Sequence, residues 1–324
     1  MPRLHIFNPD TDFALAAKSD FYTPPGRVTA LRRSLALLPA LYASAGDAIL
    51  LLDPFDEEEL SRLPHYQLVL EKSLGLVSLP AKGEAPSAAL KGFRADPWGW
   101  NECLRRLLLS RFDGLEGIPS EAGMKEIKRL SHRRLTIPFL DGWDEAETPR
   151  EFTDAGEAME YCRQRKRLFF KAPWSSSGRG VVRTADLEER HILPWLCGTI
   201  EAQGSVMAEP EYARRLDFAT EWKAERGKAR FMGFSVFETS PRGKYKGNLR
   251  LPQAELRGMI EEAANEGLDK VLEYQRDRIE MLIAPHYDGP LGIDCLVTND
   301  GRINPCVEVN LRRTMGMIGL KIKG

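Results

Sequence analysis

The stretch Leu168-Phe169-Phe170-Lys171-Ala172-Pro173-Trp174-Ser175-Ser176-Ser177-Gly178-Arg179-Gly180-Val181 decides how this chain is read. A hydrophobic run delivers one lysine to the edge of a loop made of serines and glycines. Such a loop carries little side-chain bulk, so its backbone N–H groups can approach an anion closely. Lys171 adds a point charge and Arg179 a planar donor, a combination that suits phosphate. The spacing differs from that of the P-loop, in which Gly-Lys-Ser/Thr opens a helix. Here the lysine comes first, on a strand, and the loop follows.

Working outward toward the C-terminus, a second segment complements the first. Leu291 to Thr298 and Arg302 to Asn310 are strand-like runs around Asn299-Asp300-Gly301, which predicts a hairpin. A three-residue loop with Gly301 in the left-handed region fits the spacing. That register sets Thr298 against Arg302 and Asp294 against Cys306. Glu308 and Asn310 then share a sheet face with Asp294. Diagonal neighbours of this kind lie about 7–8 Å apart. Two carboxylates and an amide on an otherwise apolar hairpin predict a site for a hard cation bridging phosphates, Mg2+ first and Mn2+ as the alternative. A loop of a different parity would turn Asp294 and Glu308 to opposite faces.

Together these pieces resemble the ATP-grasp superfamily. The resemblance rests on Lys171, the Ser175 to Gly180 loop, the strand Val206-Met207-Ala208-Glu209-Pro210, and Gly292-Ile293-Asp294 followed by Glu308-Val309-Asn310-Leu311-Arg312. It spans residues 125–320. The opening Asn8-Pro9-Asp10-Thr11-Asp12-Phe13-Ala14-Leu15-Ala16 is similar to the start of a bacterial branch of that superfamily. The resemblance implies that Lys171 contacts the α- and β-phosphates of ATP, while Ser175, Ser176, Ser177, Gly178, Arg179 and Gly180 close over the β- and γ-phosphates. It places adenine at the hinge of Glu209, Pro210, Glu211 and Tyr212. Pro210 has no N–H there and can only accept. Asp217 is the candidate for the ribose hydroxyls, the alternative being a surface carboxylate beside Arg214 and Arg215. Asp294, Glu308 and Asn310 are the metal ligands. Arg312 steadies the transferring phosphoryl group, with Arg313 as its competitor.

Other residues allow two readings each. Ser131-His132-Arg133-Arg134 stands where the family often has a first ATP lysine, and Arg133 is the best substitute; His132 reads as structural. Lys223 and the loop Lys244-Tyr245-Lys246-Gly247-Asn248 could meet an anionic substrate or simply be solvated. Asn8, Asp10 and Asp12 follow the first strand, where open α/β sheets place ligands, or else form a turn.

The implied reaction is ATP- and Mg2+-dependent ligation of a carboxylate to an amine-type nucleophile through an acylphosphate. The carboxylate substrate would be a small molecule or a peptide. A small-molecule kinase and a non-catalytic nucleotide-binding regulator are the alternatives.

The chain of 324 residues carries 43% hydrophobic and 29% charged residues at a net charge of −1. That balance offers no global attraction to nucleic acid or to a membrane surface. The five cysteines include no Cys-x-x-Cys pair, which predicts reduced thiols. No run reaches the roughly 18 apolar residues of a membrane span, and Met1 to Phe7 lacks the core of a signal peptide, so a cytoplasmic location is expected.

The predicted fold is α/β and α+β. A small parallel α/β lobe (1–122) precedes two α+β subdomains (123–205 and 206–324). In the first lobe, strands are expected at Leu4–Phe7, Asp47–Leu52 and Tyr66–Leu70. Helical spacing runs over Arg27–Ala45, broken at Pro39, and over Asn101–Arg111, with 83–97 a loop. Beyond it come a helix over Asp154–Lys166 capped by Thr153, a helical stretch over Ala185–Cys197, and strands at Phe218–Ala224 and Ala229–Phe237. Helices over Gln253–Ala264 and Asp269–Ile283 precede the final hairpin.

Overall fold

The computed structural model describes residues 1–19, 21–143, 147–165, 167–175, 180–239, 245–265 and 267–322. Two compact units emerge: Met1–Leu15 with Ser19–Lys125, and Ala16–Lys18 with Glu126–Gly324.

The first unit is built on a parallel sheet of β1 (Arg3–Ile6), β2 (Ala48–Leu51), β3 (Gly75–Ser78) and β4 (Arg94–Pro97), in the order β3-β2-β1-β4. β2 is buried at every position, as the run Ala48-Ile49-Leu50-Leu51 requires of a strand covered on both faces. As expected, the helical spacing before it forms two pieces, a helix over Gly26–Ser34 and a 3-10 turn over Leu38–Leu41; the break falls ahead of Pro39, which sits in the first positions of the turn. Two expectations fail here. Tyr66–Glu71 is a helix rather than a strand, because a short apolar run fits either and only Val69 is fully buried. Residues 83–97 include β4, whose Pro97 is tolerated because β4 is the edge strand of the sheet and the Glu116 bridge on its outer side reaches only Arg94. The Leu-rich helix runs from Glu102 to Arg111 as read, with Asn101 Oδ1 accepting from Leu104 N at 2.9 Å.

The second unit holds two antiparallel sheets. One contains β5 (Arg150–Phe152), β6 (Leu168–Lys171), β7 (Val181–Arg183) and β8 (Val206–Pro210), ordered β5-β8-β6-β7. Helices Ala155–Arg165 and Glu189–Gln203 cover it through Met159, Leu196, Phe170 and Val206. The second of these starts later and runs further than the predicted stretch. Asp154, not Thr153, caps the first: its Oδ1 accepts from Glu157 N at 2.9 Å, the three-residue offset of an N-cap.

The other sheet contains β9 (Arg214–Glu225), β10 (Lys228–Thr239), β11 (Tyr245–Asn248), β12 (Gly289–Thr298) and β13 (Ile303–Asn310), ordered β11-β10-β9-β12-β13. β9 and β10 are longer than predicted, and part of the expected 244–248 loop is β11. Helices Gln253–Ala263 and Leu268–Leu282 pack on this sheet. Gln275, fully buried on the second of them, donates to Pro305 O at 2.7 Å.

Candidate functional site

The hairpin of β12 and β13 begins as predicted. Thr298 N donates to Arg302 O and Gly301 N to Thr298 O, both at 2.9 Å, with Gly301 at φ +81°. Further from the turn the register departs from the expectation. Leu296 pairs with Asn304, but Asp294 pairs with Glu308 rather than with Cys306. Residues 305–307 therefore stand opposite Cys295 in a bulge. Pro305 has no N–H to give the ladder, Asn304 Oδ1 accepts from Cys306 N at 3.0 Å, and Gln275 takes the Pro305 carbonyl. The shift is an even number of residues, so the faces are preserved. Asp294, Glu308 and Asn310 do share one face, and the two carboxylates are direct partners. Such partners have Cβ atoms about 4.5–5.5 Å apart, closer than the diagonal spacing.

The acidic face extends into β9. Gly292 pairs with Asn310 on one side and Glu221 on the other; Asp294 lies between Glu308 and Ala219; Leu296 lies beside Asp217. Small residues at 219 and 292 leave space between the carboxylates. Gly292 has no alternative, since a Cβ there would sit 2.6 Å from Thr314 Cγ2 and 2.9 Å from Glu221 Oε2.

Over this face lies a cavity of about 240 Å³ between the two sheets. Lys171 and Phe169 of β6 and Val181 of β7 line one side, and Asp217, Glu221, Asp294, Glu308 and Asn310 the other. Arg133, Arg214 and Arg312 complete its charged lining. Of the two arginines weighed for one role, Arg312 is in the lining; its Nη2 donates to Asn310 Oδ1 at 2.9 Å.

Arg133 ties the two sides together. It occupies a 3-10 turn over Arg133–Leu135 that starts at His132, whose Nδ1 accepts from Arg134 N at 3.0 Å. Its Nε donates to Ala172 O at 3.0 Å and its Nη2 to Ser175 Oγ at 3.1 Å, and the same Nη2 pairs with Glu308 Oε1 at 2.8 Å. Buried against Ala172, Pro173 and Ser175, it reaches Glu308 directly. His132 is structural here, and burial depresses its pKa to about 3, with Arg134 and Arg133 adding to the effect.

Lys171 pairs with Glu209 of β8. Glu209 is buried, and its Oε1 has no partner among the described residues. Ser175 is buried and accepts from Arg133 of the cavity lining, and Gly180 takes φ +68° with Ser175 and Ala172 Cβ atoms about it. Ser176, Ser177, Gly178 and Arg179 lie outside the described residues, as does Lys244.

Glu211 and Tyr212 do not join this cavity. They line a neighbouring hollow of about 530 Å³ with Arg183, Arg214, Asp217, Phe237 and Lys246. Glu211 accepts from Arg183 and Arg167 at 2.6 and 2.9 Å, and those bonds hold its carboxyl below the ordinary range. Tyr212 Oη accepts from Glu147 N at 3.1 Å, and burial pushes its phenol up to about 12. Asp217 lines both spaces and lies 3.6 Å from Arg214.

The sequence reading missed Glu221. It is fully buried, accepting from Ser235 Oγ at 3.0 Å and from Thr314 Oγ1 at 2.8 Å. Burial raises its pKa to about 7, against the two hydroxyl bonds, with the charge of Asp294 adding to the rise. Its one local signal is a carboxylate inside the run Phe218 to Trp222. Asp294 is likewise held above the carboxylate range, first by burial and then by Glu308.

The donor set suits a hard cation. Among the described residues no group of three or more His, Cys, Asp and Glu side chains is placed to hold a metal alone. Two facing carboxylates and an amide supply oxygens only, and leave coordination positions for phosphate or water. A cation there would offset the burial and the Glu308 charge that keep Asp294 up. The cysteines are free thiols, and no described helix is long and apolar enough to cross a membrane.

No family model and no curated protein sequence matches the chain. Solved structures do. N5-carboxyaminoimidazole synthetase from Staphylococcus aureus, complexed with ADP, superposes with a TM-score of 0.56 at 12% identity, over 97% of this chain and 71% of its own. The biotin carboxylase domain of 2-oxoglutarate carboxylase from Hydrogenobacter thermophilus, in complex with MgADP, ADP and bicarbonate, gives 0.52 at 11%, over 99% and 69%. Biotin carboxylase from Campylobacter jejuni gives 0.52 at 10%, over 99% and 68%. Matched along nearly its whole length to these enzymes, the chain has the ATP-grasp fold.

Proposed function

We propose that this chain is an ATP- and Mg2+-dependent ligase that joins a carboxylate to an amine-type nucleophile through an acylphosphate. One observation carries the reading: Asp294 and Glu308 face each other, beside Asn310, in the same cavity as Lys171, Arg133 and Arg312. Neighbours of the same fold that were solved with ADP and with MgADP support it.

In this reading Asp294, Glu308 and Asn310 hold Mg2+, which supplies charge neutralisation to phosphate oxygens when bound. Lys171, now paired with Glu209, would turn to phosphate, and Arg133, now paired with Glu308, would be free for phosphate when that carboxylate holds a cation. Arg133 is thereby the second phosphate-side cation. Arg312, held by Asn310, opposes the charge that develops on the transferring phosphoryl group. The hollow beside Glu211, Tyr212 and Asp217 takes the nucleoside, and the Ser175 to Gly180 loop keeps water from the acylphosphate. The carboxylate substrate is a small molecule or a peptide.

The test is thermal stability with Mg-ATP, Mg-ADP, ATP with EDTA, and no nucleotide, in wild type and Glu308→Gln. A ligand at 100 times its Kd stabilises by about 2.7 kcal/mol. A magnesium-dependent shift of that order, lost in the variant, is expected. Incubation with carboxylate and amine pairs should then yield an amide, ADP and phosphate. A phosphoester with ADP would instead identify a kinase, and no shift at millimolar Mg-ATP would refute the nucleotide reading.

A further inference from the structure

We infer that the parallel sheet of the first unit carries a separate binding site at its carboxyl edge, and that this site takes a small cationic head group, a primary ammonium or a guanidinium. It does not depend on what the cavity of the second unit binds.

The place follows from topology. β1 lies between β2 and β4, with β3 beyond β2, so the connections leave β1 first to one side and later to the other. The crevice outside the carboxyl ends at such a reversal is where open α/β sheets bind ligands. The segments after β1 and β4 meet there and are clamped together. Asn8 Nδ2 donates to Gly99 O at 2.7 Å, Thr11 Oγ1 donates to the same carbonyl at 2.9 Å, and Asn101 Nδ2 donates to Thr11 Oγ1 at 3.1 Å. Asn8, Thr11 and Asn101 are thus used up by the fold.

Asp10 is not. It is only 7% exposed, and its carboxylate bonds to its own backbone N–H and to no other described side chain. The cation near it, Arg32, is committed to Asp53, with Nε and Nη2 donating at 2.9 and 2.7 Å. The hydroxyl of Tyr22, whose backbone N–H donates to Cys103 Sγ at 3.2 Å, is also buried without a partner among the described residues. Burial first, and then the nearby charge of Asp10, push the Tyr22 phenol up to about 12. A buried carboxylate bonded only to its own backbone, and a buried hydroxyl left without a partner, are costly in a finished fold. Both can accept, and the cation near the carboxylate, Arg32, is shared with Asp53. Their complement is a group rich in donors and positively charged, which excludes phosphate and carboxylate ligands.

The probe is n-butylammonium, with n-butylguanidinium as the planar alternative and n-butanoate as the charge control, titrated into the full chain by calorimetry and saturation-transfer NMR. One or both cations should bind and butanoate should not. Asp10→Asn should weaken cation binding by about tenfold or more, because a charge-assisted partner is lost. The same variant should raise the thermal midpoint, because a buried charge with no side-chain hydrogen bond has been removed. Tyr22→Phe should weaken binding severalfold; it deletes one hydroxyl and carries the test if Asp10→Asn does not fold. Butanoate binding as well as the cations, no binding of either cation, or unchanged binding in both variants would overturn the assignment.

Discussion

Replacing Glu221 by glutamine should make the protein more stable, and only above the acid range. Glu221 is fully buried, and its carboxyl is raised from 4.5 to about 7. Burial is the main cause; Ser235, Thr314 and Arg312 pull the other way. A carboxyl with a raised folded-state pKa favours folding below its unfolded value and loses that contribution as pH rises through the folded value. At roughly 1.4 kcal/mol per pKa unit, ionising Glu221 in place costs roughly 3 kcal/mol at pH 8. Glutamine keeps the shape, and both hydroxyl partners can reorient to suit an amide. The assay is urea unfolding followed by circular dichroism, in EDTA, at pH 5 and pH 8. Glu221→Gln should gain up to roughly 3 kcal/mol at pH 8 and under about 1 kcal/mol at pH 5. An equal gain at both pH values, or a loss at pH 8, would refute the reasoning: it would mean that Glu221 is held as a needed anion.

Other substitutions test the neighbouring contacts. Gly316→Ala should destabilise by about 1–3 kcal/mol in the same unfolding assay, because a Cβ there overlaps Glu221 Oε1 and lies 2.8 Å from Ser235 Cβ. Lys171→Met should cost about 3–5 kcal/mol by stranding the buried Glu209 carboxylate, and a second change, Glu209→Met, should restore most of it. His132, held to about 3 by burial, binds its proton more readily when unfolded, so stability should fall by about 1.4 kcal/mol per pH unit below pH 6.5 and His132→Asn should flatten that slope. Asp154→Ala should lower the melting temperature by the equivalent of about 1 kcal/mol through loss of the cap, and Thr153→Ala should leave it unchanged.

What was legible in the residues was local chemistry. Lys171 before a serine–glycine loop, Asn299-Asp300-Gly301 as a turn, and the apolar runs of the sheets all carry their signal within a few residues. The hidden parts depend on partners far away in the chain. The bulge that sets Asp294 against Glu308 needs Gln275, on a helix some thirty residues earlier, to take the carbonyl of Pro305. Pro305 cannot give the ladder an N–H, but nothing within a few residues of it sets the size of the bulge. β4 was hidden because Arg94-Ala95-Asp96-Pro97 is polar and ends in proline, which only an edge strand accepts. The buried Glu221 has no local motif; the hydroxyls that hold it come from β10 and from Thr314.

These distant dependencies converge on one face of β9, β12 and β13. Had the hairpin kept the simple register, Glu308 would stand diagonal to Asp294, and Arg133 would have to reach a different place to meet it. The bulge moves Glu308 level with Asp294, next to the row of Asn310, Gly292 and Glu221. Gly292 then has to be glycine, since Glu221 and Thr314 occupy the space above it. Each member of the row constrains the next: the bulge sets the carboxylate pair, Glu308 anchors Arg133, and Arg133 holds the segment behind Lys171. A change in the Pro305 bulge should therefore act at Lys171, on the opposite sheet, without touching it.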